Sequence, residues 1–465
     1  MTNASAAAAD DPSHSSVWKD LAALRREPRE LWVIYALTLL ECLAYYAVYN
    51  VLALYLREDL HYDDVTAGTV LARWLLVNTV VVFFAGTIGD VLGVRRTLLI
   101  GFASCVVGRV MMSFAHSREI AMLGLYAMSF GAGSTSPTKT AAIRRYTSAR
   151  TVAFGFSFYY QMINFGAFAV GPLVSWLRTR YQHPSDIVMP GGWHWHFGSA
   201  QALFTIASFA SFASLALVAV GIRDDRDEPA TNVVLPAADT GYRGTTTNTA
   251  KRTRNPAVVL VEVMRDVAFW RFMLFVSLLV IVRLIFQHAH LTWPVYATRE
   301  FGRTFPYATY WSINPLMIIF LTPVATALTR HRSAYSTIVI GTFITAASVF
   351  FLAYSTTVAM SVFFIVTLSI GEALWSPRLY EYTAMIAPKG RESSYMGLSQ
   401  LPMFAAKPLV SWMSGTLLAT YCPAAGDRHC EKMWLVIGLS TLIGPVLVVA
   451  MRRVIEGAKG VTPSP

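Results

Sequence analysis

Charge is scarce in this chain: only 14% of its 465 residues are Asp, Glu, Lys or Arg, against 55% hydrophobic, with a mean hydropathy of +0.47. That scarcity excludes a soluble globular protein, because its surface could not be made polar. Cysteine is equally sparse, with four in the chain, and no His, Cys, Asp or Glu group falls at metal-ligand spacing. No metal or other cofactor is therefore expected. No Ser/His/Asp set and no phosphate-cradling glycine loop stands out, which argues against an enzyme. Basic residues are not interleaved with stacking aromatics, so the formal charge of +11 does not indicate nucleic acid as a partner. The first 30 residues are polar with no short apolar core, and no cleaved signal peptide is expected.

Long apolar runs are abundant instead. A bilayer span takes about 20 apolar residues, and runs of that kind fall at 31–56, 66–88, 96–114, 120–145, 152–177, 197–222, 268–296, 307–329, 335–355, 357–382, 394–420 and 432–453. The expected fold class is an all-α membrane protein with twelve transmembrane helices. Between the sixth and seventh runs, residues 223–266 are polar, with an acidic start, a Thr-rich tract and Lys251-Arg-Thr-Arg254. This stretch reads as a flexible cytoplasmic linker. The domain plan is then a cytoplasmic tail at 1–30, a six-helix bundle at 31–222, the linker, a second bundle at 267–453 and a cytoplasmic tail at 454–465. Short loops on the side of the termini carry fifteen basic residues against eight on the other side, which places both termini in the cytoplasm. A plasma membrane or bacterial inner membrane is the expected location.

The halves are related. Pro172-Leu-Val-Ser-Trp176 returns unchanged at Pro408–Trp412, and Gly131-x-x-x-x-Ser136-Pro137 returns at Gly371, Ser376 and Pro377. The nearly equal offsets indicate a duplicated membrane unit, hence two pseudo-symmetric six-helix bundles. Of the cysteines, Cys42 and Cys105 lie within spans, while Cys422 and Cys430 share one loop on the side away from the termini. That side is oxidising, so these two are a candidate disulfide, with two free thiols the alternative.

An ionisable group near the bilayer centre costs about 2.5–3.5 kcal/mol on insertion scales, so its retention needs a reason. Glu41, Arg283, Glu372 and Lys407 fall near the middle of their runs. They either pair internally to fix helix packing or line a water-filled cavity between the halves. Glu41, Tyr45 and Tyr49 share one helix face, as do Arg283, Gln287 and His290. These polar stripes favour the cavity. Arg73 and Arg109 lie toward the outer ends, where they are expected to snorkel, and Lys139 lies toward the cytoplasmic end. His288 and His290 are expected near the outer interface and are not taken as proton carriers.

Gly86-Thr-Ile-Gly-Asp90-Val-Leu-Gly93-Val-Arg95-Arg96 resembles the cytoplasmic latch loop of the major facilitator superfamily, with Val91 and Val94 at two positions often basic there. Tyr159-Tyr160-Gln-Met-Ile163-Asn164-Phe-Gly166 is similar to the Phe-Tyr-x-x-Ile-Asn-x-Gly signature of proton-coupled oligopeptide transporters. Asn314-Pro315 through Thr322-Pro323 and Gly371-Glu372-x-x-x-Ser376-Pro377 resemble the eighth and tenth helices of that family. The resemblance implies the major facilitator fold, alternating access and uptake of small peptides on a proton gradient. It also implies that Tyr160, Asn164 and Asn314 line the site and that Glu372 faces the peptide amino end or a gating partner. The chain departs from the pattern in its first helix, where Thr38, Glu41 and Cys42 stand for two glutamates and an arginine, and Tyr49 for a second arginine. Ser136 replaces a lysine, with Lys139 one turn later, and Gln287 replaces an acid.

The expected function is therefore secondary active transport of a peptide-like or amino-acid-like solute. The candidate binding residues are Tyr45, Tyr49, Tyr160, Asn164, Arg283, Gln287, Asn314 and Lys407. Arg283 or Lys407 would hold a carboxylate, Glu372 or Glu41 an amine, and Glu41 and Glu372 are the proton-coupling candidates. Gly86, Asp90, Gly93, Arg95 and Arg96 form the latch. The expected partners are a small organic solute, protons and the lipid bilayer, and the chain is expected to act as a monomer. A uniporter or exporter on the same scaffold is the alternative, with a transport-dead sensor or scaffold as a further one.

Overall fold

The computed structural model describes residues 24–115, 117–148, 151–188, 192, 194–223, 265, 267–329, 331–386 and 401–456. The first half comprises α1 (Arg29–Glu58), α2 (Asp64–Leu92), α3 (Val94–Ser113), α4 (Arg118–Arg145), α5 (Val152–Arg180) and α6 (Ser199–Gly221), with strands β1 (Ser185–Val188) and β2 (His194–Phe197) between the last two. The second half comprises α7 (Val267–Leu291), α8 (Trp293–Glu300), α9 (Tyr307–Trp311), α10 (Ile313–Leu328), α11 (Ala334–Tyr354), α12 (Val358–Ile386), α13 (Leu401–Tyr421), α14 (Cys430–Ala450) and the short α15 (Arg452–Glu456). Among the described residues, nine helical segments are long and apolar enough to cross a membrane. The chain is thus an integral multi-pass membrane protein. Twelve expected spans correspond to these helices, with two breaks: the seventh divides at Thr292 into α7 and α8, and the eighth at Ser312 into α9 and α10. Almost the whole of the 223–266 linker lies outside the described residues.

Local chemistry sets the helix boundaries. The Asp63 carboxylate accepts hydrogen bonds from the Val65 and Thr66 amides at 3.0 and 2.9 Å, capping α2, and Ser117 and Ser333 cap α4 and α11 in the same way. Gly93, at φ 80, makes the reversal from α2 to α3 in a single residue. The latch segment, expected as a loop, is therefore mostly helix, since α2 continues to Leu92. The Asp90 side chain lies outside the described residues, while Arg95 donates to the Ala219 carbonyl at the end of α6.

The two halves pack alike. In the first, α3 packs on α4 and α6, α1 on α5 and α6, and α2 on α4. In the second, α11 packs on α12 and α14, α7 on α13 and α14, and α10 on α12. The repeated strings occupy equivalent places: Pro137 and Pro377 lie inside α4 and α12, Pro172 and Pro408 inside α5 and α13. Trp176 and Trp412 are both exposed on the lipid-facing surface, whereas Ser175 and Ser411 are both buried. Gly131 and Gly371 mark close crossings, where an added Cβ would lie 2.8 Å from the Cys105 amide and 2.7 Å from the Thr345 amide respectively.

Contacts between the halves gather at the end that carries the β-hairpin, here the hairpin end. There α2 crosses α13 backbone to backbone: a Cβ on Gly68 would stand 2.9 Å from both the Gly415 Cα and the Ser411 carbonyl. The pseudo-equivalent crossing joins α5 to α9, with Ser175 accepting the Thr309 amide at 3.1 Å. Two carboxylates then tie the halves by charge. Asp64 takes Arg57 of its own half at 2.7 Å and Arg299 of the other at 2.8 Å. Glu58 takes Arg178 and Arg303 likewise, each at 3.3 Å. Arg299 also donates to the carbonyl of Cys422, which is joined by a disulfide to Cys430. The nearby Glu300 completes a group of metal-ligand type, but the bonded sulfurs supply no thiolate to it.

Asp59, in the turn beside Glu58, accepts from Gln201 at 3.5 Å. Burial pushes its carboxyl up from 3.8 to about 6, against the opposing effect of that hydrogen bond. The folded state holds this proton more tightly than the unfolded one. Its stabilisation is therefore complete below about pH 4 and is lost as pH rises through 6, these being its unfolded and folded pKa values. Asp59→Asn should raise the unfolding midpoint at pH 7.5, with the difference from the native chain vanishing at pH 4. Scanning fluorimetry in detergent across that range checks it, and an unchanged difference at the two pH values would count against the assignment.

Candidate functional site

The mid-helix charges separate into two groups. In the first half, Glu41 of α1 meets Arg109 of α3 in a two-pronged ion pair, with Oε1 to Nη2 at 3.0 Å and Oε2 to Nη1 at 3.2 Å. Arg109 Nη1 also donates to the Ser211 hydroxyl on α6. Arg109 is fully buried. The expectation that it snorkels to the outer interface is therefore wrong: a long side chain reaches inward to a carboxylate, and charge pairing outweighs the pull of the interface. Lys139 is also buried rather than placed with the cytoplasmic arginines, and its ammonium is within electrostatic reach of Cys42 and Cys105. Arg73, by contrast, is exposed.

The second group gathers residues of α7, α10, α12 and α13. Asn314 donates from its amide nitrogen to Glu372 at 2.9 Å and to Ser369 at 3.0 Å. Arg283 lies within electrostatic reach of both Glu372 and Lys407. Its guanidinium also sits over the Trp375 ring at 5.6 Å, and the Lys407 ammonium sits over Phe404 at 4.8 Å. Four of the expected residues, Arg283, Asn314, Glu372 and Lys407, thus form one cluster carrying both signs of charge.

Aromatic rings of α1 bring the first half against this cluster. Tyr46 is within electrostatic reach of Tyr160 on α5 and Glu372 on α12. Tyr45 stacks beside Tyr46 and Tyr49 at 5.5 and 5.2 Å. Tyr49 lies 4.8 Å from His290 and 5.7 Å from Trp74, and His290 lies 5.6 Å from Trp311. His290 Nδ1 pairs with Asn50 across the halves at 3.0 Å, and Tyr307 donates to the Asn50 carbonyl at 2.9 Å. These rings form a plug between the cluster and the hairpin end. His290 is therefore part of the contact between halves and not at the outer interface, and His288 is buried, paired with Thr292 at 2.8 Å. Gln287 approaches Tyr49, yet its Nε2 is buried with no hydrogen-bond partner among the described residues. Asn164, one turn from Tyr160, donates to the Tyr160 carbonyl at 2.9 Å.

Tyr45, Tyr49, Tyr160, Arg283, Gln287, Asn314, Glu372 and Lys407 are thereby brought to one region where the halves face each other. Glu41 stands apart, turned into its own half by Arg109. Sequence reasoning missed Arg109 as its partner and missed Arg57, Glu58, Asp64 and Arg299 as ties between the halves. A signal for the second set was present: acids crowd positions 58, 59, 63 and 64 on a side otherwise rich in arginine.

The chain is similar to the dipeptide and tripeptide permease A of Proteus mirabilis (strain HI4320), with 27% identity over 160 residues, 34% of this chain and 33% of that protein. It is 24% identical to the permease of the same name from Escherichia coli (strain K12) over 191 residues, 40% of this chain and 36% of that protein. The matched region spans about a third of the length of these curated relatives. Among solved structures, a POT family transporter in complex with 5-aminolevulinic acid superposes with a TM-score of 0.67 at 16% identity, covering 92% of this chain and 97% of the other. A bacterial homologue of the human drug peptide transporters PepT1 and PepT2 gives 0.65 at 16% identity, covering 92% and 98%. These likenesses establish the arrangement of two six-helix bundles. With its family profile matching residues 34–407, the chain belongs to the Major Facilitator Superfamily.

Proposed function

We propose that this protein is a secondary active transporter that moves a small peptide-like or amino-acid-like solute by alternating access, driven by protons. The observation that carries the reading is the cluster of Arg283, Lys407, Glu372 and Asn314 in the second half, facing Tyr46 and Tyr160 of the first. A zwitterion needs a cation for its carboxylate and an anion for its ammonium, and this cluster supplies both. Tyr45, Tyr49, Asn164 and Gln287 complete the lining. The dipeptide and tripeptide permeases and the POT family structures support the same reading.

With the termini in the cytoplasm, the hairpin end faces outward and the structure corresponds to an outward-closed state. The Asp64 and Glu58 ion pairs are its outer seal, and Gly86, Asp90, Gly93, Arg95 and Arg96 are the cytoplasmic latch. The protein works as a monomer in a plasma membrane or bacterial inner membrane. Protons bind at Glu372, whose hydrogen bond from Asn314 is made or released as the halves rock, while Glu41 acts through Arg109 on the packing of α1, α3 and α6.

Glu372→Gln should abolish solute accumulation driven by an inward proton gradient while sparing solute exchange across proteoliposomes. A uniporter is the second reading: with Glu41 held by Arg109, only Glu372 among the described mid-helix carboxylates is left without an ion pair, so coupling rests on that one group. Accumulation that ignores both the gradient and Glu372→Gln would establish that second reading.

A further inference from the structure

We infer that the central site is built for a solute of net negative charge, one with two carboxylates for each ammonium, such as an α-amino dicarboxylate or a dipeptide with an acidic side chain. This rests on the transport reading above and narrows its solute. The inference comes from a charge imbalance that repeats in both halves. Around the middle of the first half stand one acid, Glu41, and two bases, Arg109 and Lys139; in the second stand Glu372, Arg283 and Lys407.

One acid is neutralised and the other is only hydrogen-bonded. Both oxygens of Glu41 are taken by Arg109, and Glu372 accepts from Asn314. Lys139, Arg283 and Lys407 have no ion pair among the described residues. Arg283 and Lys407 moreover lie within electrostatic reach of each other, so each raises the cost of the other's charge. The Trp375 and Phe404 faces beneath them attract cations but carry no formal charge to neutralise them. Uncharged groups show the same bias. Gln287 Nε2, which only approaches Tyr49, and, beside Tyr49, Trp74 Nε1 are buried donors with no hydrogen bond of normal geometry among the described residues. Gln287 is only 7% exposed, so solvent does not supply what the protein lacks.

Unmatched cations and unmatched donors call for the same thing, a ligand rich in anionic oxygen. A zwitterion of zero net charge brings one charge of each sign and leaves the imbalance in place. A second carboxylate halves it: one carboxylate binds between Arg283 and Lys407, the ammonium binds Glu372, and the other meets the donors of Gln287 and Trp74 or the Lys139 ammonium. No bond is made or broken, and selectivity arises from charge complementarity alone.

The purified full-length protein tests this by thermal stabilisation and proteoliposome uptake with Ala-Ala, Ala-Asp, Ala-Lys and succinate as probes. Ala-Asp should bind at least about tenfold more tightly than Ala-Ala, the loss typical of forgoing one close charge pair, and Ala-Lys more weakly than either. Lys407→Gln should erase most of the ratio between Ala-Asp and Ala-Ala, whatever it does to each alone. Equal binding of the three dipeptides, or preference for Ala-Lys, overturns the inference while leaving peptide transport intact. Stabilisation by succinate with no dipeptide binding upholds the charge argument and sinks the peptide reading. Absence of stabilisation by both Ala-Asp and succinate overturns the charge argument.

Discussion

Glu41→Gln should cost the protein about 3–5 kcal/mol of stability, the usual penalty for stripping one partner from a buried ion pair. Arg109 is fully buried and gives Glu41 two hydrogen bonds, so the amide would leave a guanidinium charge without compensation among α1, α3 and α6. Arg109 Nε already lacks a partner among the described residues, which leaves the group little to fall back on. The reciprocal change Arg109→Gln should be comparably damaging. Replacing both residues together with leucine should restore most of the loss, because apolar residues of similar volume commonly substitute for a buried pair at little cost. Unfolding midpoints of the three variants in detergent measure this directly. A native-like midpoint for Glu41→Gln would show that the pair contributes nothing. The double variant then addresses transport: gradient-driven accumulation should persist in it, since proton coupling is assigned to Glu372.

The second large effect concerns the ion pairs proposed as the outer seal. Asp64 is held by Arg57 and Arg299, and Asp64→Asn would leave those two arginines facing each other without a carboxylate between them. The outward-closed state should lose population, and a cysteine placed at Tyr46 should react with a membrane-impermeant maleimide from outside at least about tenfold faster, the change that 1.4 kcal/mol produces. Gly68→Val should act in the same direction by a steric route, since its Cβ would press on the Gly415 backbone and the Ser411 carbonyl. Unchanged labelling in both variants would show that the seal lies elsewhere. Cys422 and Cys430 are bonded to each other and Cys105 is buried, whereas Cys42 is a free, half-buried thiol one turn from Tyr46, so the measurement is made in a Cys42→Ser background.

Much of the fold could be read from the chain because the bilayer imposes a length rule and because proline, glycine and serine keep their places in the repeat. Pro172 and Pro408 land inside equivalent helices, and Gly131 and Gly371 at equivalent crossings, since backbone proximity tolerates little else there. The breaks at Thr292 and Ser312 were not legible, as the apolar runs continue through both. The hairpin of Ser185–Val188 with His194–Phe197 was also missed; only its second strand, His-Trp-His-Phe, alternates, four residues are too few to signal a strand, and tertiary contacts hold it, including the Trp195 indole donating to the Ser113 carbonyl. Within the site, Glu372, Arg283 and Lys407 followed from depth along each helix, and Asn314 from the family resemblance. Arg109 did not, because depth of the Cα says nothing about where a long side chain ends. Its partner is 68 residues away in sequence, and only packing discloses it.

The glycine contact between α2 and α13 also fixes how far the other end can travel. Once the Thr79 hydroxyl, further along both helices, releases the Phe404 carbonyl it holds at 3.0 Å, the two helices behave as levers hinged at the glycines. With a rise of about 1.5 Å per residue, the 29 residues of α2 reach roughly 43 Å, so a tilt of about 10° swings its far tip by roughly 7 Å. A modest rotation at a side-chain-free hinge thus opens a passage of molecular width without disturbing the helices themselves.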